Sequence, residues 1–507
     1  MTQAQRVALN SLAAYVRFGV SLVVQLALVP FVISTVGTND YGLWTLTFSV
    51  LGLLSLVDFG FTTGVVRFVA EARGLRDPDL RNRVVSTILV VYLGLAALAA
   101  LVVVVLAVFY GDLFDIPLDA RDRARWLLLI LAARSVLVSL PLVLFKAILF
   151  GEQHIALTNL IQVVTTLLYG AAAWATLSLE FGILGLAVVN AAVMLIEHLA
   201  YVGACARLLP DLRISRRLVD RGALRETASV SIHQFVVNVG DQVLMRTDPI
   251  LIKFFLPLSA VALYGVALKV AENVLLLLKQ GVHVLGPWVA ELKARGEHER
   301  IRFVLLSGSK FTLAPGVALT ALCGVYADEA LWFWVGPEFR EAAPVLILLM
   351  GAMALMIPQV VAQSVFTMTG LHRLSAALSA CGVIANIGLS LALIGPLGLP
   401  GVAAATLASA LLVNLLVVGV LARRHYGLGF REYASGVFAP TVLPGFATFL
   451  SGLALERLWP PQGLLAIGIQ TIPGLILYGL LFWSFSVTRS ERRILRERLF
   501  RTGRAAE

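Results

Sequence analysis

Residues 84 to 110 read "VVSTILVVYLGLAALAALVVVVLAVFY", without one charged side chain. A helix on the surface of a soluble domain keeps a polar face, and a half-buried strand alternates polar with apolar residues. A run this long does neither, and in water it could not cover all its faces. A bilayer core of roughly 30 Å, in contrast, needs about 20 consecutive apolar residues per crossing helix. Stretches of that length follow one another from residue 11 to residue 487, the second over 41–70, the seventh over 229–255, and the eleventh and twelfth over 374–395 and 400–422. They make about fourteen in all at that length. They are continuous, not alternating segments of barrel type, so helices must satisfy the backbone inside lipid. Composition agrees, with 59% hydrophobic and 14% charged residues and a mean hydropathy of +0.89, where a soluble domain has about 25% charged residues. The fold class is therefore an all-α integral membrane protein.

The net charge of +10 does not point to nucleic acid, because the bases are not gathered into one hydrophilic domain. Lys and Arg crowd instead into alternate loops, at 71–83, 206–228, 291–302 and 423–433, and into the tail from 488. The opposite loops hold only Arg121, Arg123, Arg125, Arg340 and Arg457. By the positive-inside rule both termini are expected in the cytoplasm, and the tail "TRSERRILRERLFRTGRAAE" reads as a topology anchor or a surface helix on anionic lipid. The start runs straight into the first apolar segment and is read as a retained span. Cys205, Cys323 and Cys381 are isolated and suggest neither a disulfide framework nor a zinc site. No phosphate-binding loop, nucleophile elbow or HExxH motif occurs. An enzyme is not expected, no cofactor is implied, and work must come from an ion gradient, the membrane potential or the substrate gradient.

The second half echoes the first. "FVISTVGTNDYG", ending at Tyr41 and Gly42, lies over "FFLPLSAVALYG", ending at Tyr264 and Gly265; "VAEARG" from Val69 lies over "VAELKARG" from Val289. "FGILGLA" matches "LGLPGVA", with Gly182 over Gly398 and Gly185 over Gly401. Each repeat holds six helices, an even number, so the copies share one topology and should be related by an axis along the membrane normal. The expected plan is an N-lobe over 1–210, a basic cytoplasmic linker over 211–228, a C-lobe over 229–425, two appended helices over 426–487, and a cytoplasmic tail over 488–507. Two such lobes around a central cavity imply alternating access.

Ionisable residues inside spans cost several kcal/mol, about 3 on insertion scales, unless they snorkel, pair or face water. Arg67, Lys146 and Lys310 lie near cytoplasmic ends and Lys253 near an outer end, where snorkelling is the plainer reading. Arg134, Arg246, Lys269 and Lys279 lie deeper, with Arg17 between. Lys269, Glu272 and Lys279 share one face of their helix. On the seventh helix, "DQVLMRTDPILIKFF" places Asp241 and Asp248 in one stripe, Arg246 and Lys253 in another, and Pro249, which favours a kink, beside them. Arg17, Arg67, Arg134, Arg246, Lys269 and Lys279 are the candidates for an anion-binding cavity. The acids Asp58, Asp241, Asp248 and Glu272 are candidates for ion coupling, with local pairing between helices as the alternative. Asn386 and Ser390 stand one turn apart, as do Val402 and Thr406; these oxygens suit Na⁺ or a proton relay, or else join packed helices by hydrogen bonds. His233 and His283 read as packing or interfacial residues.

Four stretches carry a family likeness: "NSLAAYVRFGVSLVVQLALVPFVISTVGTNDYGLW"; "LVDFGFTTGVVRFVAE", with Asp58, Gly60 and Arg67; "RTDPILIKFFLPLSAVALYGVALKV", with Asp248 and Tyr264; and "TGLHRLSAALSACGVIANIGLSLALIGPLGLPGVAAATLAS", with Asn386. In this order the chain resembles, over nearly its whole length, the polysaccharide-exporting flippases of the multidrug/oligosaccharidyl-lipid/polysaccharide superfamily. The resemblance implies movement of an undecaprenyl-diphosphate-linked oligosaccharide from the cytoplasmic to the periplasmic leaflet of a bacterial inner membrane, with membrane lipid and the polysaccharide polymerase machinery as partners. It also implies a Na⁺ site like that of the related lipid II flippases, formed by Asp241, Asn386, Thr406 and the Val402 carbonyl, although Ser390 stands where a second carboxylate would be expected. A cation-coupled multidrug exporter and a lipid II flippase of the same superfamily are the alternatives.

Overall fold

The computed structural model describes residues 3–282, 285–417 and 422–492, and its regular structure is helical throughout, with no strand among the described residues. His283 and the tail beyond residue 492 lie outside them, as do the side chains of His233 and Asp241. The helices run α1 (Gln3–Val36), α2 (Thr38–Leu54), α3 (Phe61–Leu75), α4 (Pro78–Leu113), α5 (Leu118–Ala133), α6 (Leu140–Gly151), α7 (Ile155–Ser178), α8 (Gly182–Leu208), α9 (Arg221–Phe255), α10 (Leu258–Val282), α11 (Leu285–Ala294), α12 (His298–Val335), α13 (Ala343–Met368) and α14 (His372–Leu416). After the single turns α15 (Arg423–Tyr426) and α16 (Phe430–Tyr433) come α17 (Ala439–Leu458) and α18 (Leu464–Leu481).

By length and apolarity, 12 helices among the described residues can cross a membrane, against the fourteen expected, and the difference arises at two places. Helix α9 is too polar to qualify, because neutral polar residues such as Gln234, Asn238 and Gln242 add to its charges. Helix α14 counts once, yet its 45 residues would extend roughly 67 Å at 1.5 Å per residue, twice the bilayer core. Its backbone breaks at Gly398 (φ 61, ψ −139), between the two segments expected at 374–395 and 400–422.

The expected single helix over 41–70 is instead interrupted. A 3₁₀ turn at Ser55–Asp58 leads into left-handed Phe59 and Gly60 before α3 begins. The close approach of α9 explains the break: a Cβ on Gly60 would lie 2.6 Å from the Ser231 carbonyl oxygen, and one on Gly64 would lie 2.7 Å from Ser231 Oγ. Asp58 stabilises the new helix start, its Oδ1 accepting from Thr62 N at 3.3 Å and Thr62 Oγ1 at 2.9 Å, as a capping carboxylate does. Tyr92 of α4 also donates to Oδ1.

Two compact units divide the chain, Met1–Ala262 and Leu263–Glu507. Packing thus places the division after Ala262, whereas the repeat places it between the sixth and seventh helices. The reason is α9, which packs on α2, α3 and α4 and starts at Arg221, where Asp220 accepts from Gly222 N at 3.0 Å and Ala223 N at 3.2 Å. The repeat is visible in the backbone of each unit taken separately. Left-handed residues fall at Arg76, Asp115, Gln153 and Gly182 in the first and at Gly296, Gly336, Gly370 and Gly398 in the second, in the same order and at nearly constant separation. Such residues end one helix and turn the chain into the next, so both halves follow the same path.

The first unit is cored by Val65, Ile88, Tyr92, Leu144 and Tyr201 from α3, α4, α6 and α8. In the second unit α12 packs along α13 and α17, and a buried ion pair fixes the chain after α18. Lys310 Nζ lies 2.6 Å from Glu491 Oε2 and donates to the Ser486 carbonyl at 2.9 Å. Ser307 Oγ donates to Glu491 Oε1 at 2.7 Å, and Glu491 accepts from Thr488 N at 2.8 Å while its own N–H reaches Thr488 Oγ1 at 3.3 Å, a reciprocal capping box. Lys310 is 3% exposed. It is therefore buried and paired, where snorkelling was expected.

Candidate functional site

Within the first unit α8 carries a polar face, because Asn190, Glu197 and Tyr201 recur at helical spacing. Glu197 accepts from Tyr201 OH at 2.8 Å, Thr165 Oγ1 at 3.1 Å and Gln162 Nε2 at 3.4 Å. The two donors from α7 fix its orientation, and none of the three is a base. Around this saturated carboxylate stand three cations. Arg134 donates to Asn190 Oδ1, the Asn190 side chain is also hydrogen-bonded to Tyr169, and the Arg134 guanidinium lies 5.2 Å from the Phe48 ring centroid. Lys146 lies 5.9 Å from the Tyr201 ring centroid, within electrostatic reach of both Glu197 and Arg17. No ion pair joins Arg17, Arg134 or Lys146 to an acid among the described residues. The Nε atoms of Arg17 and Arg134 are buried without a hydrogen-bond partner, a loss of about 1–3 kcal/mol for a buried donor and more for a charged one.

A wide turn presents Arg134. The chain from Arg134 to Ser139 is π-helical, and Pro141, just beyond, has no N–H to continue the ordinary ladder. Lys146 and Asn190 were not among the sequence candidates. The position of Lys146 near a helix end hid its role, and Asn190 carries no charge to draw attention; the seven-residue spacing from Asn190 to Glu197 was the available signal.

The other candidates lie elsewhere. Arg67 is exposed on α3, 5.8 Å from the Phe68 ring centroid. Arg246 lays its stem on Gly52, where a Cβ would meet its Cδ at 2.8 Å. Asp248 is 2% exposed, and α9 runs unbroken as a helix through Pro249. Asp58, besides holding the helix break, borders a cavity of about 210 Å³ with Asn238 and Gln242. Lys269, Glu272 and Lys279 are half-buried on α10, in the second unit.

A second cluster is neutral and lies wholly in the second unit, on the two halves of α14. Asn386 Nδ2 donates to Thr406 Oγ1 at 3.0 Å, and Thr406 Oγ1 donates to the Val402 carbonyl at 3.2 Å. Asn386 Oδ1 and Ser390 Oγ are buried with no hydrogen-bond partner among the described residues. Two orphaned oxygens beside a hydroxyl and a carbonyl are the donor set that a small hard monovalent cation takes.

Residues 4–293 match the family of polysaccharide biosynthesis proteins. The chain belongs to that family. The Bacillus subtilis membrane protein EpsK, described as uncharacterized, is 22% identical over 97% of this chain and 98% of its own. The probable low-salt glycan biosynthesis flippase Agl15 of Haloferax volcanii is 26% identical over 40% of this chain and 42% of its own. Among solved structures, the lipid II flippase MurJ in an inward closed conformation superposes with a TM-score of 0.70 at 12% identity, covering 94% of this chain and 98% of MurJ. An inward-facing multidrug resistance transporter of the MATE family superposes at 0.66 with 16% identity, covering 80% and 97%. These likenesses show that the chain shares the fold of those two transporters. The protein is a multi-pass membrane protein of that family, with the fold of those two transporters.

Proposed function

We propose that the protein is a flippase that moves an undecaprenyl-diphosphate-linked oligosaccharide from the cytoplasmic to the periplasmic leaflet of a bacterial inner membrane, with both termini in the cytoplasm, by alternating access. The observation that carries the reading is the cluster of Arg17, Arg134 and Lys146 around one already saturated acid, with two guanidinium Nε atoms lacking acceptors. A diphosphate supplies such acceptors in charge-assisted form, and arginine suits its oxygens best. Family membership and the name of the Haloferax relative support a glycan cargo. A cation exporter would gain nothing from this surplus of bases.

The neutral cluster at Asn386, Ser390, Thr406 and the Val402 carbonyl is proposed as the seat of Na⁺ coupling. The ion would supply positive charge where the described residues offer neutral oxygens, and the orphaned Asn386 Oδ1 and Ser390 Oγ are the atoms that would hold it. Reconstitution in vesicles tests the main reading, with leaflet exposure of a labelled polyprenyl-diphosphate sugar as the readout. The wild-type protein should equilibrate the lipid, and the Arg134→Gln/Lys146→Met variant should not. Equal rates for the two at equal protein levels would refute it.

A further inference from the structure

A second cavity, of about 530 Å³, opens in the first unit where the α1–α2, α4–α5 and α9–α10 turns meet. Asp40, Phe114, Asp119, Arg123, Lys253 and Phe254 line it. Lys253, in the last turn of α9, was expected to snorkel, yet it is only 8% exposed and has no hydrogen bond or ion pair among the described residues. Arg123 reaches Asp40 only at 3.4 Å, and its Nε is buried without a partner. Lys253 therefore faces the cavity without an acid partner among the described residues, and Arg123 beside it keeps a buried Nε free despite its long contact to Asp40. No group of His, Cys, Asp and Glu capable of holding a metal occurs among the described residues.

The rest of the lining narrows the ligand. Asp40, Asp115 and Asp119 also line the cavity and accept hydrogen bonds, as sugar hydroxyls require. They would also repel a compact, multiply charged anion such as free phosphate. The Phe254 ring is 55% exposed and lies 5.3 Å from Phe114 between centroids. The exposed Phe254 ring, backed by the buried Phe114, offers an apolar face for the C–H side of a pyranose. We infer that this cavity binds a saccharide bearing a carboxylate, with the carboxylate on Lys253 and Arg123 and the hydroxyls on Asp40 and Asp119. The inference rests on the flippase reading for its biological use, and names acidic glycans as the cargo class.

The test is equilibrium binding to the purified full chain of a glucuronate-containing disaccharide, a neutral disaccharide of the same length, and inorganic phosphate. The glucuronate compound should bind at least about tenfold more tightly than either other probe. Lys253→Met should abolish that preference, Lys253→Arg should retain it, and both variants should bind polyprenyl diphosphate as the wild type does. Equal affinity for acidic and neutral sugars, survival of the preference in Lys253→Met, or phosphate binding as tightly as glucuronate would each overturn the inference. A glucuronate preference without polyprenyl diphosphate binding would sink the flippase reading and leave this site standing. The reverse pattern would remove only this site.

Discussion

Lys310 in the second unit and Lys146 in the first are both lysines near the ends of apolar helices, and their surroundings could hardly differ more. Lys310 meets a buried carboxylate at 2.6 Å, and that carboxylate is further held by a serine hydroxyl and a capping box. Lys146 has an aromatic ring beside it, a carboxylate whose bonds come from neutral donors, and two further bases with no acid of their own. A closed pair tells of structure, since every charge is answered within the chain. An open cluster keeps unanswered charge, and that is tolerable only where a ligand answers it.

The largest expected effect comes from breaking the closed pair. Lys310→Met leaves Glu491 buried and uncompensated and should cost about 3–5 kcal/mol, with the Lys310→Met/Glu491→Leu double variant recovering most of it. Unfolding of the purified protein in detergent measures both; an equal loss in the double variant would show that the pair does not act as a unit. In the open cluster the pattern should invert. Arg134→Leu loses the bond to Asn190 but also removes a buried unsatisfied Nε, so it should cost less than the pair, about 2 kcal/mol or below, while weakening diphosphate binding about tenfold or more.

Acid should loosen the pair. Burial pushes the Glu491 carboxyl up, but hydrogen bonds from Lys310, Ser307 and Thr488 outweigh it and leave the group below its ordinary 4.5. A lowered carboxylate contributes stability that is present above the unfolded value and lost as pH falls through the folded one. Amide-exchange protection around Ser486 to Arg492 should therefore hold from neutral pH to about 4.5 and decline below it. Ser390→Ala should shift stability by no more than about 1 kcal/mol, because its hydroxyl has no partner to lose, yet it should abolish stabilisation by Na⁺. Arg67→Ala, on an exposed face, should be the smallest, within about 0.5 kcal/mol.

Much of the fold was legible because lipid imposes so simple a rule: apolar length marks a helix, and loop bases mark orientation. The repeat showed in Gly182 and Gly398, and both prove left-handed, with φ of 61°. Other features depended on tertiary approach. The break at Phe59 and Gly60 follows from α9 packing on α3, and no periodicity in residues 41 to 70 reports that contact. Depth along a helix missed the burial of Lys253 and Lys310, because it measures distance from a helix end and not what lies beside the side chain. Glu491 sits nearly two hundred residues from Lys310 in the chain, so their pairing could not be read locally.

The most direct test of an open, anion-seeking cluster is the affinity of the purified protein for undecaprenyl diphosphate and for the neutral polyprenol, measured in the wild type, Arg134→Gln and Lys146→Met. The diphosphate should bind far more tightly than the polyprenol, and each substitution should erase most of that difference while leaving polyprenol binding unchanged. Equal affinities for the two lipids, or a diphosphate preference untouched by both substitutions, would contradict the account.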